Sequence, residues 1–293
     1  MADQASRLRQ LVGSRVEEPA APSMRADGTK VIAVTSGKGG VGKTNLTVNL
    51  ALALGMLGQR VLIVDADLGM ANVDVVLGSR AKHALMDLLD PAISLEDVIV
   101  QGPYGVSYIP GGSGIEKAAT FSAAEQRLLL QKLASCGQMA DIILIDTGAG
   151  LGKNVMDFIL AADEVLLVTT PEPTSLTDAY AVMKAYSVYA PDGCMKLVIN
   201  RVYEEEESRE VANKLAQTAE RFLHIRIDSL GYIFDDPMVR KAVRRQTPFV
   251  AAWPDSAASR CVRALANGLL YGSQMQVKRG WKGFLQQIFN FSR

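Results

Sequence analysis

A chain of 293 residues, 48% hydrophobic and 21% charged, is long enough for one large α/β domain with ample core and short appendages. Its 31 basic and 31 acidic residues cancel, so no overall field draws it to nucleic acid or membrane, and any such contact has to come from a local patch. Three widely spaced cysteines (Cys136, Cys194 and Cys261) fit a reduced cytosolic compartment and argue against a disulfide frame. The polar N-terminus does not read as a signal peptide, and no apolar run approaches the ~20 residues of a bilayer span.

Residues 1–28 form a piece apart. Asp3 can cap a short amphipathic segment with Ala5, Leu8, Leu11 and Val12 on one side, too short to be a stable helix alone. Glu17-Glu18-Pro19-Ala20-Ala21-Pro22-Ser23 then reads as a flexible linker. A short motif tethered ahead of a folded domain suggests a partner-docking peptide that orders on binding.

Lys30 to Thr35 is a buried strand, and Asn45 to Leu57 a helix with Leu46, Leu50, Ala53, Leu54 and Leu57 at helical spacing. Between them lies Gly37-Lys38-Gly39-Gly40-Val41-Gly42-Lys43-Thr44. Strand, glycine loop and helix is the setting of a phosphate loop. Successive backbone N–H groups curl around a polyphosphate, the helix N-terminus adds partial positive charge, Lys43 reaches the β- and γ-oxygens, and Thr44 can hold Mg²⁺. Asn45, directly after Thr44, is counted with this nucleotide site. Lys38 is a second cation beside the triphosphate, one that a loop already served by Lys43 does not need for simple binding.

Arg60 to Asp67 is another buried strand, ending in Asp65 and Asp67. Parallel strands present their C-terminal ends to the ligand crevice, so both carboxylates point toward the phosphates. One would orient the attacking water and the other sit in the metal's outer shell; the Asp-x-Asp alternation allows either assignment. Leu68 to Asn72 reads as a mobile loop. Residues 73–120 are less regular: His83–Leu89 and Leu95–Ile99 look helical, Val106–Gly112 is a strand running into a loop, and His83 reads as a surface residue. Ser122–Cys136 is an amphipathic helix with Leu128, Leu129, Leu133 and Ala134 for the core.

Asp141 to Gly150 is a strand that delivers Asp146 into the same crevice, where it can hold Mg²⁺ through water. The glycines beyond let the loop rearrange around a γ-phosphate. Val165–Pro173 and Met195–Arg201 contain two further strands, joined by a helix from Ser175 to Tyr189. Asn200, at a strand end, carries an amide able to donate to and accept from the edge of adenine; Arg201 is counted with it. Glu204 to Glu207 is a solvated helix start rather than a ligand site. A helix to Leu223, a strand Ser229–Phe234 and a helix opened by Asp236-Pro237-Met238 follow. Strands alternating with helices from 30 to 270 predict one doubly wound, mostly parallel α/β sheet.

After a helix from Ala257 to Leu270, the stretch Lys278–Phe291 sets Trp281, Phe284, Leu285, Ile288 and Phe289 on a single apolar stripe, with Lys278, Arg279 and Lys282 at one end. Such a helix, about 21 Å long, is too short to cross a bilayer and suited to lie in its surface. Gly280 and Gly283 weaken it in isolation, so membrane contact would have to induce it. The same stripe also fits a helix docked on the protein's own core.

The two-lysine loop resembles the deviant phosphate loop of the MinD/ParA ATPases. With both terminal motifs added, the chain is similar to the flagellar branch of that family, the FlhG group, also called YlxH or FleN. The resemblance to the ATPase covers about residues 30–270. It implies that Lys38 reaches across an ATP-dependent nucleotide-sandwich homodimer to the partner's phosphates, that Asp67 rather than Asp65 orients the water, and that Phe234 to Pro237 close the base pocket. It also implies that Asp3-Gln4-Ala5-x-x-Leu8-Arg9 docks on the signal-recognition-type GTPase FlhF and stimulates its GTP hydrolysis, and that the C-terminal stripe targets an anionic membrane surface. The expected organisation is an activator peptide with linker (1–28), an ATPase domain (29–272) and a membrane helix (273–293). The expected function is a Mg²⁺-dependent ATPase at the inner face of the cell membrane that regulates flagellar number and placement. A switch component or a transcription factor stands open as a further partner, and no specific nucleic acid is expected. The competing reading is a ParA-type partitioning ATPase holding DNA non-specifically through Arg240, Lys241, Arg244 and Arg245. Iron–sulfur relatives of the same loop are set aside, because no Cys-x-x-Cys is present.

Overall fold

The runs that alternate with helical segments are apolar on both faces, as strands covered by helices on either side must be. The computed structural model describes residues 28–67, 72–111, 122–191, 193–272 and 280–291. Within these, eight strands form one sheet: β1 (Lys30–Ser36), β2 (Val61–Ala66), β3 (Val100–Gln101), β4 (Val106–Ile109), β5 (Ile142–Ala149), β6 (Glu164–Thr169), β7 (Cys194–Val202) and β8 (Arg226–Phe234). Their order is β3-β4-β2-β5-β1-β6-β7-β8, and only the β3–β4 pair is antiparallel. Every residue of β1, β2 and β6 is buried. The doubly wound, mostly parallel sheet expected from the sequence is therefore present. Chain direction across the sheet reverses at β1, which places the ligand crevice over its C-terminal end.

One face carries α1 (Lys43–Met56), α10 (Phe249–Ala252) and α11 (Ala257–Tyr271), joined by the even positions of β1, Ile32 and Val34, into one core. Helix α1 is buried continuously from Leu46 to Leu54, which is why its apolar residues there are not confined to one side. Shorter pieces, α2 (Val73–Leu77), a 3₁₀ turn (Leu85–Leu89) and α3 (Leu95–Val98), follow β2. The opposite face carries α4 (Ala123–Leu133), α5 (Cys136–Met139), α6 (Lys153–Ala161), α7 (Pro173–Tyr189) and α8 (Glu205–Leu223). Helix α9 (Pro237–Arg244) follows β8 beside the crevice.

Several boundaries depart from the expected ones. The helix from Ser122 stops at Leu133 and resumes as the short α5; its start is fixed by Ser122 and Glu125, which cap each other. The segment expected as a helix over His83–Leu89 is a 3₁₀ turn confined to Leu85–Leu89, held by Asp87 accepting from the Ala84 N–H. The last strand begins at Arg226, three residues early, because it pairs with β7 from Cys194 onward. Helix α6 was not foreseen, although Val155, Met156, Phe158 and Ile159 lie on one buried side of it.

The largest correction concerns the C-terminal stripe. Helix α12 (Gly280–Phe291) is packed on the protein itself, with Trp281, Phe284 and Leu285 only 4%, 3% and 4% exposed and Ile288 and Phe289 partly buried. It covers a strip of the sheet left open between α4–α5 and α6, where Val31 and Ile143 would otherwise meet water. Each large side chain gains roughly 1.5–3 kcal/mol by leaving water, and an internal surface satisfies that drive as well as lipid does. The five residues read as a membrane face are thus core-facing in this structure.

Candidate nucleotide site

Strand β1 ends at Ser36 and α1 begins at Lys43, so the glycine loop spans the crevice at the switch point. Two glycines in it are dictated by space. A Cβ on Gly37 would run into the Asp178 carbonyl of α7, and Gly42 has φ +95° with the Asn200 amide directly behind it. The first intrahelical bond of α1 runs from Leu46 N–H to Gly42 C=O, which leaves the N–H groups of Lys43, Thr44 and Asn45 for an anion. Lys38, Gly39, Gly40, Gly42, Lys43, Thr44 and Asn45 line a cleft of about 1280 Å³. Gly37 and Val41 do not line it: Gly37 packs on α7, and Val41 is buried in the core.

Lys43 lines the cleft and meets Asp146 buried behind it, Nζ to Oδ1 at 2.9 Å, with side chains 7% and 1% exposed. Thr47, one helical turn on from Lys43, donates to the same oxygen at 3.0 Å. The other carboxylate oxygen, Oδ2, is buried with no hydrogen-bond partner among the described residues. An unpartnered carboxylate oxygen, a threonine hydroxyl at a helix start and a row of free N–H groups are the donor set that a magnesium-bound polyphosphate requires. The residues fit the group.

Asp65 and Asp67 are separated clearly by the fold. Asp67 lines the cleft, beside the backbone of Gly148. Asp65 is turned inward, Oδ1 accepting from the Asp67 N–H at 3.1 Å and Oδ2 from the N–H groups of Asn72 and Val73 at 3.0 and 3.2 Å. It pairs in register with Asp146 on β5. Asp65 is therefore corrected from a metal-shell residue to the brace that closes the chain between β2 and α2. Burial, and next the Asp146 charge, push its pKa up to about 6. A raised carboxylate pKa means the folded state holds a proton that the unfolded chain releases, so stability is lost as pH climbs from about 4 to 6. With 1.36 kcal/mol per unit, that loss is about 3 kcal/mol. Asp65→Asn should therefore stabilise the nucleotide-free protein in EDTA at pH 7.5, and the gain should vanish near pH 4. Urea unfolding at several pH values checks this; a gain independent of pH would exclude charge burial as its origin.

Lys38 reaches sideways. Its Nζ lies 3.0 Å from Thr174 Oγ1 and 3.5 Å from Glu172 Oε2, at the corner between β6 and α7. Asn200 and Arg201 both line the cleft, and Asn200 also braces the loop: its Nδ2 donates to the Val41 carbonyl at 2.7 Å and its Oδ1 accepts from the Arg201 N–H at 2.9 Å. Arg201, at φ +60°, donates its guanidinium to the Gly40 carbonyl at 2.8 Å. Phe234 lines the cleft as expected, edge-on to Tyr232. Pro237 is not among the lining residues; it opens α9 behind the Asp236 cap. Thr47, Glu172 and Thr174 join the site only in the fold; the sequence signal for Thr47 is its place four residues after Lys43. Asp3, Gln4, Ala5, Leu8 and Arg9 lie outside the described residues.

A glycine loop at the switch point, a buried Lys–Asp pair behind it and a further strand-end aspartate in the cleft define a phosphate-loop nucleoside triphosphatase. The family model described as an AAA domain matches residues 29–188. The antiactivator FleN of Pseudomonas aeruginosa is 43% identical over 81% of this chain and 85% of its own length. The flagellum site-determining protein YlxH of Helicobacter pylori is 33% identical over 99% of both chains. The septum site-determining protein MinD of Pyrococcus horikoshii, solved with Mg-ADP, superposes with a TM-score of 0.64 at 31% identity over 82% of this chain and 96% of that one. The chain belongs to the MinD/ParA family of ATPases, in the branch that holds FleN and YlxH.

Proposed function

We propose that this ATPase hydrolyses ATP with Mg²⁺ as a membrane-cycling regulator of flagellar number and placement. The single observation that supports the chemistry best is the buried Lys43–Asp146 pair under a loop of free N–H groups. The flagellar role rests on the likeness to FleN and YlxH over most of the chain. Lys43 and the loop amides would hold the phosphates, Thr44 would hold Mg²⁺ with Asp146 acting on it through water, and Asp67 would orient the attacking water. Mg²⁺, when bound there, would neutralise charge on the β- and γ-phosphates. Lys38 leaves Thr174 and Glu172 to reach a second copy in an ATP-dependent homodimer.

The three-part organisation belongs to the same proposal: residues 1–28 stimulate a signal-recognition-type GTPase of the FlhF kind, 29–272 are the ATPase, and 273–293 bind an anionic membrane. No described helix is long and apolar enough to cross a membrane, and α12 binds lipid only after leaving its docked place. Each freed helix binds weakly, and two in a dimer gain through effective concentration. Co-sedimentation with anionic vesicles should be several-fold greater with ATP than with ADP, and should fall at high salt. Equal sedimentation with either nucleotide would sink the cycling reading. A peptide of Met1 to Val12 should stimulate the partner GTPase by itself, and Gln4→Ala with Arg9→Ala should remove the effect; a double variant that stimulates as well as wild type excludes those two side chains.

The partitioning alternative draws on the α9 region. Arg240 is paired with Asp235 and Arg245 lies over the Trp253 ring, which leaves Lys241 and Arg244 of the four cations with neither an ion pair nor a ring contact among the described residues. A duplex-DNA binding assay beside the vesicle assay separates the two readings.

A further inference from the structure

Helix α12 is fixed to the body by polar contacts as well as by its apolar stripe. Asp163, in the turn between α6 and β6, is 7% exposed and serves two elements at once. Its Oδ2 accepts from the Val31 N–H of β1 at 2.9 Å, and its Oδ1 from the Gly280 N–H at the start of α12 at 3.1 Å. A carboxylate at a helix N-terminus satisfies a donor that the helix itself cannot, and it faces the positive end of the helix dipole. At the next residue, the Trp281 Nε1–H donates to the Leu133 carbonyl at 2.5 Å. The indole lies against Gly137 of α5, where a Cβ would stand 3.3 Å from Trp281 Cβ and Cδ1. Phe284 then stacks between Trp281 and Phe158 of α6, with centroids at 5.3 and 6.2 Å.

We propose that Asp163 is the positioning residue that holds α12 docked, and that this hold, rather than the apolar stripe, sets how much of the protein reaches a lipid surface in the absence of ATP. The proposal rests on the reading of α12 as a lipid-binding helix. It follows from where the polar contacts lie. The stripe gains similar free energy from the core or from lipid, so it does not choose between them. The Asp163 bond to Gly280, the Trp281 bond to Leu133 and the notch at Gly137 exist only in the docked place, and they tip the balance inward. Losing a charged acceptor at a buried N–H is expected to shift the docked–free ratio about tenfold or more.

Two substitutions test this from outside α12, so the helix keeps its own affinity for lipid. Asp163→Asn removes the charge and one acceptor oxygen; Gly137→Val fills the notch that receives Trp281. Both are made in the full chain carrying Trp253→Phe, so that Trp281 alone reports. With ADP and Mg²⁺, Trp281 emission should shift to the red in both variants. Flotation with phosphatidylcholine–phosphatidylglycerol vesicles should recover about tenfold more protein than the parent does, while ATP turnover in solution stays at the parent rate. Unchanged Trp281 emission in Asp163→Asn, or a lowered melting point without any gain on vesicles, would overturn the proposal by leaving Asp163 a purely structural role. A red shift in both variants with no vesicle binding in either, even with ATP, would uphold the hold and overturn the lipid reading beneath it.

Discussion

Lys43→Ala should abolish detectable ATP binding, whereas Lys38→Ala should leave it within about tenfold of wild type. The two lysines sit in the same loop but in different electrostatic settings. Lys43 is 7% exposed and bonded to Asp146, so its removal takes away the phosphate contact and leaves a buried carboxylate without its cation. Breaking such a pair costs about 3–5 kcal/mol, which is over 100-fold in any equilibrium that needs the site intact. Lys38 is 41% exposed, and the pair it makes with Glu172 is long at 3.5 Å, a geometry that contributes at most about 1 kcal/mol. Nothing in the phosphate cradle leans on it. Its loss should therefore appear in ATP-dependent dimerisation and in turnover, the steps that require it to reach a second copy. Calorimetry with ATP and Mg²⁺, beside light scattering, separates these effects. Equal loss of nucleotide binding in both variants would make Lys38 an ordinary phosphate contact within its own chain. Thermal unfolding of the Lys43 variant without nucleotide is needed alongside, since the stranded Asp146 charge lowers stability as well.

The sheet was legible in the sequence because its strands are continuous apolar runs and each ends in a residue with chemistry to offer: Ser36 before the loop, Asp67 just past β2, Asp146 within β5. Local signals of that kind fix what stands at the crevice. They do not fix which way a side chain turns once it is there. Asp65 and Asp67 are two residues apart and share the pleat, and only the path of the chain back to Asn72 and Val73 decides that Asp65 is consumed by backbone N–H groups. The bracing bond of Asn200 is hidden from local sequence for a similar reason, because its partner, the Val41 carbonyl, is 159 residues away. Helix α6 is masked in the sequence by the glycines of residues 148–152, which signal a loop, although Val155, Met156, Phe158 and Ile159 carry the helical period. The C-terminal stripe was found from periodicity, but an apolar stripe alone does not say what covers it. That answer lay in the uncovered strip over β1 and β5, which is a property of the assembled layers.

Asp67→Ala should slow ATP turnover by roughly 10²–10⁴-fold, the range over which a positioned carboxylate contributes to moving a proton from an attacking water. The aspartate lines the cleft at the end of β2, beside Gly148 in the loop that follows Asp146, while the phosphate cradle is built by other residues. ATP affinity should therefore stay near the wild-type value. With hydrolysis blocked and binding intact, the ATP-bound dimer should persist, and vesicle-bound protein should outlast the time at which wild type has already been released. Single-turnover measurements isolate the chemical step from product release. Asp65→Asn is the informative companion, because its carboxylate is occupied by three backbone N–H groups and does not line the cleft. Its turnover should fall far less than that of Asp67→Ala, with any deficit tracking the order of the chain before α2 rather than the proton inventory. A wild-type rate in Asp67→Ala would remove Asp67 from the water-orienting role and leave Asp146, buried behind Lys43 with one unpartnered oxygen, as the carboxylate to test next.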